Sequence, residues 1–377
     1  MKATPATALD LTWAQVHAFR LERHHLTKRA PKKDLTKVVG EIGGVQAQVM
    51  SAAELQIGVR VDCKVEDVRD ALWKRKTLAK TWLMRGTLHL VPAEDLPVFT
   101  AAMGAFGIRN TNAWLKWLQI TERELTELID AIGHTLDGQG LTREELIAKV
   151  GKGRSQAIQQ AMKSGWGGVL KPVARKGLLC FGPSRGQSVT FVRPERWLGS
   201  WREMDPDAAL IEVARRYVHA YGPATKGDFA RWWGTWPGVG TRAWAGLAGD
   251  FAPVSIDGQR AEILASDVEQ ITKRVSGGSV QLLPSFDPYV MGHSSRDHLV
   301  EAANHSKVSR TAGWISAVVL VDGRVAGTWS HVAVKGTLQI SVESFQRLAP
   351  KTRVEIQRRA ESLAETLGMA RAEVRIP

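Results

Sequence analysis

Residues 41–50, EIGGVQAQVM, hold the arrangement best suited to chemistry: Gln46 and Gln48 flank one small apolar residue, Ala47. A glutamine amide offers both a donor and an acceptor. A pair of them can therefore orient a water molecule or contact a sugar. Neither can act as a strong base, because a neutral amide barely takes a proton. On a helix, residues i and i+2 point in different directions, so facing one point requires a helix end or a bend. Gly43 and Gly44, just upstream, permit that geometry. On spacing alone, two polar residues on a helix surface remain the ordinary alternative.

A second cluster is Arg85, Thr87 and His89, in a hairpin expected from strands at 81–84 and 87–91 around Arg85-Gly86. On a strand these three residues share one face. Arg85 would then hold a phosphate, and His89 would contact nucleic acid or support a site. The alternative is a structural hairpin with a buried, hydrogen-bonded His89. Phe286, Asp287 and Tyr289 read as a turn packed on a β domain. Trp232, Trp233 and Trp236 could stack on bases, but their helical spacing favours a core.

The absences narrow the chemistry. The sequence has no phosphate loop of the Gly-x-x-x-x-Gly-Lys-Ser/Thr type, no dinucleotide fingerprint after a strand and no His-Glu-x-x-His. His24 and His25 are adjacent rather than at helical i, i+4 spacing, and read as a basic helix end. Cys63 and Cys180 are the only cysteines, which excludes a disulfide framework or a structural zinc site. No cofactor is expected.

Net charge points to a partner. The 377 residues include 51 Lys+Arg and 38 Asp+Glu, a formal net charge of +13. Such a surplus favours a polyanion, although a solvated basic surface is the plain alternative. Between Arg143 and Arg202 twelve basic residues face only Glu144, Glu145 and Glu195. Lys152, Arg154, Lys171, Arg175, Lys176 and Arg185, with Lys149 and Lys163, form the expected phosphate-binding patch. No apolar run is long enough to span a membrane, and the first residues lack a secretory apolar stretch. A cytoplasmic protein with reduced thiols is expected.

The elements that must position these residues are legible from their starts. Thr12 with Gln15, Thr121 with Glu124, and Thr142 with Glu145 fit the capping box, and Thr225 with Asp228 is a looser version. Each precedes apolar residues at helical spacing. Hairpins follow, at 177–192, 251–264 and 81–91. The recurring order of helix, capped helix, helix and hairpin is that of a winged helix-turn-helix. The last hundred residues read as strands at 280–284, 314–321, 324–332 and 337–342, with turns at Asp322-Gly323 and Lys335-Gly336. A closing helix is expected from about Pro350 to Leu367, with proline in its first turn.

Several landmarks occur together in one order: GVQAQ at 44–48, LMRGTLHLV at 83–91, YGPATKGDFARW at 221–232, LLPSFDPYVMG at 282–292 and DGRVAGTW at 322–329. By these the chain resembles the winged-helix DNA glycosylase superfamily of AlkZ-like and YcaQ-like proteins, from Leu11 to about Leu367. The resemblance implies an α+β fold: tandem winged helix-turn-helix motifs forming a concave DNA channel, plus a C-terminal β-rich domain with a closing helix. The expected units are 1–110, 111–204, 205–275 and 276–377. The active-site signature is Gln-aliphatic-Gln in AlkZ-like members and Gln-aliphatic-Asp in YcaQ-like ones. Gln46-Ala47-Gln48 matches the former, which carries the catalytic role onto Gln46 and Gln48.

The implied activity is that of a monofunctional DNA glycosylase acting on N7-alkylated, cationic purines, with water as nucleophile. The implied partner is double-stranded DNA carrying alkylated purines, met by a monomer in the cytoplasm at the nucleoid. Unhooking of interstrand crosslinks is known within the family, but the shared motif does not transmit substrate choice. A non-catalytic winged-helix regulator is the alternative. It would explain charge and helix order but not the placement of the glutamine signature. An RNA-binding or chromatin-architectural protein is a third reading.

Overall fold

The computed structural model describes residues 8–377 apart from 108–110, 137–139, 166, 200 and 276. It is a mixed α+β fold that divides into two compact units. One joins the chain up to Arg69 with Ala214–Pro377; the other is Asp70–Val213.

In the first unit, the Thr12 hydroxyl caps the helix Trp13–Arg23, and the Gln15 side chain reaches back to the Thr12 N–H. Thr225 and Asp228 do the same for the helix Lys226–Trp233. Such caps satisfy otherwise orphaned backbone donors, each worth about 1 kcal/mol. The helix Pro237–Gly246 follows, then a hairpin, Phe251–Ile256 with Gln259–Leu264. Leu9–Leu11, unforeseen in the sequence, adds to it in parallel as a third strand. Trp232 and Trp233 are buried among Tyr217, Tyr221 and Phe229, as their helical spacing suggested.

A five-stranded sheet occupies the C-terminal part, in the order Val280–Leu283, Val318–Val321, Arg324–Val334, Thr337–Ser344 and Arg371–Arg375. Asp322-Gly323 and Lys335-Gly336 make its two-residue turns, all four residues at positive φ. The helix Pro350–Thr366 packs beside it, burying Ile356, Ala360 and Leu363. Two expectations change. The strand expected over 314–321 begins only at Val318, because Trp314 closes a turn on Thr311 and Ile315 bridges Ser309. Arg371–Arg375 is a parallel strand that was not foreseen.

The second unit holds the capped helices Glu122–Thr135 and Arg143–Val150, then Gln156–Lys163 and Leu170–Arg175. Its hairpin is Cys180–Arg185 with Ser188–Val192. A second hairpin pairs Leu78–Trp82 with Leu88–Pro92. Its core gathers Leu128, Ile132, Leu146, Val173 and Phe191.

Candidate active site

The segment carrying the two glutamines begins where a helix stops. Leu35–Glu41 ends in a turn in which the Gly44 N–H donates to Val39 O at 2.8 Å and the Gly43 N–H to Gly40 O at 2.9 Å. Both glycines have positive φ, 71° and 89°. At Gly43 a Cβ would also lie 3.0 Å from Cζ2 of Trp232, so backbone conformation and close packing both require glycine. The Tyr221 hydroxyl donates to Ile42 O at 2.8 Å and pins the same turn.

The chain then runs extended through Val45–Gln46, bends at Gln48 and enters the helix Met50–Gly58. A bend, one of the two geometries the pair would need to face one point, is present at Gln48. Ala47 is wholly buried between its neighbours, Gln46 is 7% exposed, and Gln48 lies on the surface. The Gln46 Oε1 has no hydrogen-bond partner among the described residues, although it is out of contact with solvent.

Sequence reasoning missed the residues that brace this segment. Gln56 Nε2 donates to the backbone oxygen of Gln46 at 3.4 Å and to that of Ser285 at 3.0 Å. Four residues on, Arg60 donates from Nη1 to Gln56 O at 2.8 Å. The Arg60 guanidinium also makes a two-pronged ion pair with Asp287 at 2.7 and 2.8 Å, both side chains fully buried. Asp287 in turn accepts from the Tyr289 N–H at 3.0 Å, capping the short helix Pro288–Met291. So Asp287 is the buried counter-charge of an arginine within the turn that the sequence placed on the β domain. The available signal was a glutamine and an arginine four apart in an apolar run.

His24 is buried between the edges of Tyr221 and Tyr289. Burial, then the charges of Arg60 and Arg20, hold its pKa well below the ordinary value. It is a neutral core residue, while His25 pairs with Glu41 at 2.7 Å. Among the described residues no group of three His, Cys, Asp or Glu is placed to hold a metal ion.

The other sequence candidates all lie in the second unit. Arg85 sits not on a strand but in the turn Met84–Gly86, with φ 57°, and Thr87 precedes the strand Leu88–Pro92. The expected single face of Arg85, Thr87 and His89 therefore does not form, because two successive positive-φ residues interrupt the extended chain. His89 is buried and shares its Nδ1 with Thr87 O at 2.9 Å; its Nε2 lies 3.4 Å from Arg85. Burial, and the Arg85 charge after it, lower its pKa to about 3. Lys171 approaches the same turn: a Cβ at Gly86 would lie 3.9 Å from its Nζ.

The basic patch separates into free and committed cations. Lys149, Lys152, Lys163 and Lys176 are exposed. Arg154 bonds to Val150 O at 2.9 Å. Arg175 is committed to the carbonyls of Met103 and Phe106 and lies over the Phe106 ring. Arg185 pairs with Glu145.

Comparison with known proteins decides the family. The family model described as "DNA glycosylase AlkZ-like" matches residues 39–366. The chain belongs to the AlkZ-like DNA glycosylase family. It is 37% identical over 383 residues to the interstrand DNA cross-link repair glycosylase of Streptomyces sahachiroi, covering 98% of this chain and all of that one. The solved structure of the Streptomyces sahachiroi DNA glycosylase AlkZ superposes with a TM-score of 0.88 at 33% identity, over 98% of this chain and all of that one. An AlkZ-like glycosylase is a hydrolase of N-glycosyl bonds, a reaction that passes through an oxocarbenium-like sugar. The chemistry that two neutral amides offer, orienting water and meeting developing sugar charge, fits that demand. No helix among the described residues is long and apolar enough to cross a membrane.

Proposed function

We propose that this AlkZ-like glycosylase hydrolyses the C1′–N9 bond of N7-alkylated purines in double-stranded DNA and unhooks interstrand crosslinks built on such adducts. Gln46 and Gln48 are the catalytic pair. An N7-alkylated purine is cationic, so it departs with the bonding electrons as a neutral base and needs no general acid. A water oxygen bonds to C1′ and loses its proton to solvent, leaving an abasic site. The amides orient this water and the sugar.

The observation that carries the reading is the buried Gln46 Oε1, which lacks a partner among the described residues. Leaving such an acceptor unfilled costs about 1–3 kcal/mol, and a water admitted with the substrate would relieve it. The three helix-and-hairpin runs are read as tandem winged-helix motifs over 1–110, 111–204 and 205–275, lining a DNA channel. A monomer working at the cytoplasmic nucleoid suffices for this activity. The crosslink activity is the one named for the relative from Streptomyces sahachiroi.

The test is base release from a duplex with one N7-methylguanine, read as alkali-dependent strand cleavage, and from a duplex with an N7-linked crosslink. Wild type should release base from both. Gln46→Ala/Gln48→Ala should fall to the spontaneous rate while duplex binding is kept. Equal rates in wild type and variant would overturn the assignment.

A further inference from the structure

In the first unit a cavity of about 450 Å³ opens beside the helix Trp13–Arg23, and neither Gln46 nor Gln48 lines it. Its lining includes Arg20, a guanidinium only 3% exposed. Arg20 donates from Nη2 to Pro223 O at 2.7 Å and from Nε to Gly222 O at 3.4 Å. Its Nη1 meets His298 Nε2 at 3.1 Å, so His298 accepts there and is neutral. The His298 ring is held by stacking on Trp13, centroids 4.4 Å apart. No carboxylate pairs with Arg20 among the described residues, and burial lowers its pKa only to about 10, so it stays charged at neutral pH. The carboxylate that acts on it, Asp228, does so without a direct ion pair, and a buried charge so weakly compensated is costly.

Two more guanidiniums line the same cavity. Arg260 and Arg324 are exposed and have no ion-pair or hydrogen-bond partner among the described residues. The two carboxylates present are already engaged. Asp228 accepts from the N–H and hydroxyl groups of both Thr225 and Ser294. Asp297 accepts from the Ser295 hydroxyl at 2.6 Å and faces His305 at 3.4 Å. These hydrogen bonds leave the carboxylate charges in place, so the lining carries three guanidiniums against two carboxylates, a formal +1, with Arg260 and Arg324 as its free N–H donors.

We propose that this cavity is a binding site for a sugar-linked phosphate ester, with Arg20 as its buried anchor and Arg260 and Arg324 as the clamp. Planar guanidiniums match phosphate oxygens in charge and geometry. The volume exceeds what one inorganic phosphate fills and lies within the ~300–1,000 Å³ range of ligand pockets, which points to an attached organic group. That chemistry has two sources, a nucleotide unit of the DNA backbone or a free nucleotide. The site stands apart from the glutamine pair, so its test does not depend on catalysis.

The experiment measures binding of deoxyadenosine 5′-monophosphate by calorimetry, and of an undamaged duplex by anisotropy across salt concentrations. It compares full-length wild type, Arg260→Gln, Arg324→Gln and the double variant. Both substitutions are at exposed positions, which avoids the folding risk of altering Arg20. Lys351→Gln, and Lys28→Gln/Lys351→Gln for the double variant, at exposed lysines of the same unit outside the cavity, control for the change in net charge. With a free nucleotide as ligand, wild type binds the monophosphate, each single variant weakens it about tenfold, and duplex affinity matches the control. With the DNA backbone as ligand, the monophosphate does not bind, and the double variant binds the duplex more weakly than the control. Its salt slope then flattens by about 1 for each phosphate no longer neutralised. No monophosphate binding, together with duplex affinity and slope equal to the control, would overturn the proposal.

Discussion

Replacing Asp287 with asparagine keeps the shape of the side chain and an acceptor for the Tyr289 N–H, but removes the charge that faces the Arg60 guanidinium at bonding distance. Both partners are fully buried, so water cannot compensate. Breaking such a pair from one side costs about 3–5 kcal/mol, a large share of the ~5–15 kcal/mol that holds a typical domain folded. Urea unfolding with linear extrapolation should show that loss. Replacing both residues, Arg60→Met with Asp287→Leu, removes the orphaned charge as well, and should recover most of it. Base release should fall in Asp287→Asn even where the protein is folded, because Arg60 also holds Gln56 O and Gln56 reaches the Gln46 carbonyl. The reasoning is refuted if Asp287→Asn loses less than about 1 kcal/mol, or if the double variant costs the sum of the two single ones, since a coupled pair must be non-additive.

Three further outcomes follow from the second unit. His89 has its pKa lowered by burial from 6.5 to about 3. The unfolded chain therefore binds a proton that the folded chain refuses. The stability from a neutral His89 is fully present above pH 6.5 and is lost as pH falls towards 3, at up to about 1.4 kcal/mol per pH unit. Between pH 7.5 and 5.0, His89→Gln should lose about 2 kcal/mol less than wild type in urea unfolding, and equal losses would reject the assignment. In the basic patch, Lys152→Gln should flatten the salt dependence of duplex binding by about 1 and leave the melting temperature unchanged. Arg175→Gln should lower the melting temperature, because its guanidinium ties down the Met103 and Phe106 carbonyls. The reverse pattern would show that Arg175 is the phosphate contact.

What the sequence revealed was local. Thr12, Thr121, Thr142 and Thr225 each cap a helix as expected, because hydroxyl and responding side chain lie three residues apart and need nothing else. The turns at Asp322-Gly323 and Lys335-Gly336 were legible for the same reason. Leu9–Leu11 and Arg371–Arg375 were not, since each is defined by a parallel partner elsewhere in the chain rather than by its own pattern. The hairpin around Arg85-Gly86 was legible too, but the single face of Arg85, Thr87 and His89 was not, because a positive-φ arginine cannot be told from an extended one by residue type. Gln46 and Gln48 stood out from ordinary polar residues only through the family resemblance. Their braces were hidden by distance: Arg60 and Asp287 are 227 positions apart.

That hidden bracing bears on selectivity. The buried groups nearest the pair are spent internally: Asp287 on Arg60, and the Gln56 amide nitrogen on the Gln46 and Ser285 carbonyls. The Gln46 Oε1 is left over, as are the Gln56 Oε1 and the Arg60 Nε. A site that kept an ionised carboxylate at this place would stabilise sugar charge more strongly, though it too would lack a proton for an unmodified purine. An unfilled amide oxygen is a weaker acceptor, so on the proposed reading it accelerates departure only where alkylation has already made the base a good leaving group. On the same reading, a net charge of +13 would hold undamaged DNA too, through phosphate contacts that carry no sequence information. Weak chemistry in a rigidly held frame then discriminates where binding cannot, because normal purines need a proton that neither glutamine can give.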